Sequence, residues 1–112
     1  MTTKNFKAAI LATIATLTPV PYTCPVTGQK AFVKRFTVAE REKYATAVTS
    51  APTGLANATA FTMIVCDAEG NLLFTKEEDI AEIAKLPDDV VSEAIYAFNS
   101  KKSLSVGEAE KN

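Results

Sequence analysis

Histidine and tryptophan are absent from this sequence, and cysteine is scarce, with only Cys24 and Cys66. Without histidine, the usual general base near neutral pH and the commonest zinc ligand are both missing. The two cysteines lie far apart and form no CxxC pair. Two thiols make neither a metal site nor the framework of a disulfide-rich secreted domain, so a reducing cytoplasm is the simpler setting. Glycine is also sparse, at four residues. "VTGQK" lacks the glycine pair of a phosphate-binding loop, and there is no nucleophile elbow. No apolar run is long enough to span a bilayer. The net charge of -1 argues against a nucleic-acid binder held by phosphate contacts. Cys24, in a loop beside Pro25, is the one candidate nucleophile, with no histidine to activate it. These absences describe a chain with no catalytic residues, no cofactor and no metal.

What is present is an ordinary globular composition, 47% hydrophobic and 22% charged over 112 residues. That is enough for one small core. We therefore expect a single helical domain over residues 1–100 and a polar, flexible tail over 101–112. The charge is unevenly placed. Residues 1–50 hold seven Lys/Arg against two Glu, and residues 51–112 hold five Lys against eleven Asp/Glu. Such halves commonly neutralise each other within one fold. The alternative is attraction between neighbouring subunits, head to tail.

The stretch "CDAEGNLLFTKEED" has one feature of a calcium loop. Counted from Asp67, side-chain oxygens fall where an EF-hand places ligands, at Asp67, Glu69, Asn71 and Glu78. The glycine that such a loop needs for its bend is misplaced, because Leu72 stands there and Gly70 comes too early. Leu72, Leu73 and Phe74 are apolar where the loop would be hydrated. The stretch reads as a turn leading to a capped helix.

The coarse order of elements follows from periodicity and punctuation. Phe6, Ile10, Ile14 and Leu17 recur at helical spacing, which predicts an amphipathic helix over 4–17 packed on the core rather than a secretory leader. Pro19 to Gln29 reads as irregular loop. "KAFVKRF" predicts a short strand. "TVAE", from Thr37 to Glu40, is a capping box opening a helix to about Thr49, with Val38, Tyr44, Ala45 and Val48 inward. Residues 55–66 carry both a helical pattern and the strand-like "FTMIVC". The Ala-rich approach tips the reading towards helix, and a strand would make "DAEGN" a hairpin turn with "LLF" as partner. "TKEE", from Thr75 to Glu78, is a second capping box. Pro87 with Asp88 and Asp89 opens a last helix whose inner face is Val90, Val91, Ala94, Ile95 and Phe98. The fold class is mainly α with a small β element (α+β): four to five short helices and a short strand or hairpin.

Three segments in order, "FVKRFTVAEREKY", "CDAEGNLLFTKEEDIAEIAKLP" and "VVSEAIYAFNSKKSLSV", resemble the tail assembly chaperones of long-tailed bacteriophages. The resemblance covers about residues 30–112. It departs at "FNSKKSL", where that family carries an "LNGL"-like closure. It implies a non-catalytic protein of the host bacterial cytoplasm that is absent from the mature virion. Its partners would be the tape measure protein, the tail tube protein, and other copies of itself in a head-to-tail or spiral homo-oligomer. It also implies a longer, frameshifted form of the chain, and the codons for Glu110-Lys111-Asn112 can form the slippery run A AAA AAC. Within "KRFTVAER", Arg35, Glu40 and Arg41 are the candidate subunit contacts. A cytoplasmic adaptor module that binds other proteins is the alternative, and no nucleic-acid or membrane partner is expected.

Overall fold

The computed structural model describes the backbone of residues 3–111 and the side chains of residues 5–100. The described residues form five helices and a three-stranded antiparallel sheet, a mainly helical α+β fold. In chain order these are α1 (Thr3–Ala12), a 3₁₀ turn (Thr13–Thr16), β1 (Val20–Thr23), β2 (Lys30–Val33), α2 (Val38–Ser50), α3 (Ala56–Ile64), β3 (Val65–Cys66), α4 (Glu78–Ile83) and α5 (Asp88–Lys111). Of the expected flexible tail at 101–112 only the backbone to residue 111 is described, and it continues α5; its side chains lie outside the described residues.

The sheet order is β1-β2-β3, so β2 is central. Val20 pairs with Val33 and Tyr22 with Ala31 across the first hairpin. Its turn is closed by the Cys24 N–H donating to the Gln29 carbonyl at 2.8 Å, with Gly28 in the left-handed region at φ 76°. This corrects the expectation of irregular loop from Pro19 to Gln29. Pro21 does not prevent the strand, because β1 lies at the sheet edge and Pro21 stands in the phase whose nitrogen faces away from β2.

Residues 55–66 take both of the conformations their sequence allows. Helix α3 runs into the short strand β3, where Cys66 bridges Leu72 across the "DAEGN" turn. Ala58, Ala60, Phe61, Thr62 and Ile64 of α3 are all buried. The helix is covered on most sides because α2, α4 and α5 all pack against it. The core then joins α3, the sheet and the face of α5 formed by Val90, Val91 and Ala94, with Ile95 and Phe98 partly buried beside them.

The first capping box is present as expected. The Glu40 N–H donates to the Thr37 hydroxyl at 3.1 Å, and the Thr37 N–H donates to the Glu40 carboxylate at 2.9 Å. Thr37→Ala should therefore cost about 1 kcal/mol, read as a lower urea midpoint at unchanged slope. The second box does not form. The Lys76 N–H instead donates to the Asp79 carboxylate at 3.1 Å, and α4 begins at Glu78 with no side-chain cap at Glu77. The cap has moved one residue along, where Asp79, with a shorter side chain than Glu78, meets the free N–H.

Two inward assignments on α2 are also corrected. Val38 is 80% exposed and Ala45 is exposed, while Tyr44, Ala47 and Val48 are half-buried. The helix meets the core through Tyr44, whose ring lies 5.3 Å from Phe36 and 5.4 Å from Phe98. That contact fixes the rotation of α2 and turns its first residue to solvent.

Candidate protein-binding surface

The largest departure from expectation is at the N-terminus. Helix α1 and the 3₁₀ turn that continues it do not pack their apolar stripe on the core: Phe6, Ile10 and Leu11 of the helix and Ile14 of the turn are 56%, 49%, 55% and 66% exposed. Apart from Lys7, residues 6–12 are all apolar and all exposed, with alanines filling the rest of the helix surface. A helix apolar nearly all round is normally a buried one. Here it stands as an arm whose root is held to the body. The Arg35 guanidinium donates to the Thr16 carbonyl at 3.1 Å, and Thr13 and Thr16 hydroxyls donate back to the carbonyls of Ile10 and Thr13.

Further exposed apolar side chains lie in the acidic half. Leu72 and Leu73 follow the Asp67 turn, 37% and 50% exposed, and Leu86 between α4 and α5 is 39% exposed. Only Phe74 of "LLF" turns inward, its ring 5.6 Å from Phe61. The turn itself is an Asx turn. The Asp67 carboxylate accepts N–H groups from Glu69 and Asn71, both at 2.9 Å, and Gly70 takes the left-handed conformation at φ 88°. Those N–H bonds hold the Asp67 carboxyl below its ordinary value, with Asn71 as the main donor. The carboxylate is used by its own turn.

The three candidate contact residues of "KRFTVAER" have defined local roles. Arg35 anchors the arm, as described. Glu40 closes the capping box and also accepts from the Lys34 ammonium at 3.1 Å. The Thr37 N–H, then Lys34, hold its carboxyl below the ordinary value. Arg41 lies over the Tyr44 and Phe98 rings at 5.5 and 5.6 Å. On this surface the residues that sequence reasoning placed wrongly are those of α1, assigned to the core. The signal available was the absence of any Asp or Glu before Glu40, which leaves Lys4 and Lys7 with no carboxylate near them in the sequence.

Cys24 is half-buried in the hairpin turn. Its thiol is held below the ordinary value, first by the Thr27 hydroxyl and then by the N–H groups of Thr27 and Val26. No cluster of three or more metal-ligating side chains occurs among the described residues, and none of their helices is long and apolar enough to cross a membrane. No family model, curated protein or solved structure matches the chain.

Proposed function

We propose that this protein is a phage tail assembly chaperone that binds the tape measure protein without catalysis and promotes tail tube assembly around it. The observation that carries the reading is the exposed apolar arm of α1 together with Leu72 and Leu73, on a domain that keeps a separate, closed core. Surface of this kind covers hydrophobic segments of a client stoichiometrically until other subunits replace it. Its setting would be the host bacterial cytoplasm, and its further partners the tail tube protein, its own frameshifted long form and further copies of itself. Arg35, Glu40 and Arg41 remain the proposed contacts within "KRFTVAER".

The test is co-expression with a tape measure protein, a very long helical chain that is poorly soluble by itself. The tape measure protein should stay soluble and co-purify with this chain. The paired change Ile10→Glu with Ile14→Glu should reduce the recovered complex at least about tenfold, since burying each isoleucine is worth about 1.5–3 kcal/mol. Equal recovery with and without this chain refutes the reading. Capture of an unrelated host protein at the same surface would favour the adaptor module.

A further inference from the structure

We infer that the α1 arm of one copy docks on the acidic, leucine-bearing face of a second copy, so that the chain associates head to tail. This names the interface behind the self-assembly proposed above and rests on that part of the reading alone, not on the identity of the client.

Charge carries the choice of partner. Among the described residues the ion pairs are Lys34–Glu40 at 3.1 Å and Lys85–Glu82 at 3.3 Å. Each lies within its own half of the chain, so among the described residues no ion pair joins the basic half to the acidic half. The segment carrying the arm has no carboxylate before Glu40, and Lys7, Lys30 and Arg35 are exposed. Residues 67–93 hold nine Asp/Glu against two Lys. Of these, Glu69, Glu77, Glu78, Glu82, Asp88 and Asp89 are exposed around the segments that present Leu72, Leu73 and Leu86.

The apolar arm, with Lys7 on it and Arg35 at its root, and the acidic segments that bear Leu72, Leu73 and Leu86 are complementary in charge and in apolar character. The arm's side chains are exposed on their own body, so a second molecule is the one that can cover them. The two surfaces differ, so the contact is heterologous and propagates from copy to copy. The charges guide the approach and the buried isoleucines and leucines hold it.

The experiment is sedimentation velocity over a range of concentrations, with two complementary variants. One disables the arm (Ile10→Glu with Ile14→Glu) and the other disables the face (Leu73→Glu with Glu82→Lys). The wild-type chain should associate, and raising salt from roughly 50 mM to 500 mM should weaken it severalfold. Each variant alone should associate at least about tenfold more weakly, and mixing the two should restore a one-to-one heterodimer through the single intact arm–face pair. All four changed residues are exposed, so circular dichroism and melting temperature should stay at wild-type values. A wild-type chain that stays monomeric overturns the self-assembly reading as a whole. Variants that associate normally, or a mixture that stays monomeric, overturn this interface while leaving client binding intact. Co-sedimentation of a monomeric chain with anionic vesicles would assign the arm to a lipid surface and overturn it as well.

Discussion

Ile64→Ala is expected to destabilise the fold by about 2–5 kcal/mol, whereas Ile10→Ala should change stability by less than about 0.5 kcal/mol. The side chains are identical and their surroundings are opposite. Ile64 is fully buried at the junction of α3 and β3, while Ile10 is 49% exposed on the arm. Truncating Ile64 removes its transfer free energy and also leaves a cavity between α3 and the sheet. That junction relaxes poorly, because the Lys34 N–H donates to the Ile64 carbonyl at 2.9 Å and fixes the backbone there. A domain of this size has a total stability of about 5–15 kcal/mol, so the Ile64 variant stands near unfolding. Urea denaturation checks both changes. Equal losses at the two positions would mean that α1 is part of the core, and the arm would no longer be available to a partner.

Raising the pH from about 10 to about 12 should progressively destabilise the protein through Tyr22, and Tyr22→Phe should flatten that loss. Tyr22 sits in β1, 6% exposed, and its hydroxyl donates to the Val90 carbonyl at 2.6 Å, tying the edge strand to the first turn of α5. Burial is the main cause that pushes its phenol from the ordinary 10.0 to about 12, helped by the negative charges of Cys24, Glu93 and Asp89. The folded chain thus holds the proton more tightly than the unfolded chain. The resulting stability is complete below pH 10 and is lost as the pH rises through the folded value, an effect on the order of 2 kcal/mol. The phenolate has no proton for Val90 and brings a charge into the core. At neutral pH, Tyr22→Phe should cost only about 1 kcal/mol, because it removes one hydrogen bond and keeps the ring. Melting temperature against pH for both proteins checks the sign. A parallel fall in the two proteins would remove Tyr22 as the cause.

The features legible in the sequence are those whose physics closes within a few residues. The Thr37–Glu40 capping box needs only a hydroxyl, a carboxylate and the free N–H groups between them. The Asp67 turn needs a short acceptor and a glycine in the left-handed region. The inner face of α5 is written by the spacing of Val90, Val91, Ala94 and Phe98. The second capping box does not form because Asp79, one residue beyond Glu78, takes the free Lys76 N–H instead.

Local sequence alone therefore determined the Thr37 cap, the Asp67 turn and the period of α5, together with the segregation of basic and acidic residues along the chain. Whether an apolar stripe faces the interior or the solvent was decided by the tertiary structure. The stripes of α1 and α5 are alike in spacing, but α3 and the sheet offer a place for only one of them. The same holds for β1, where Pro21 is compatible with a strand once β2 lies on one side and nothing on the other. Spacing records which residues share a face; only the packed neighbours settle what that face meets.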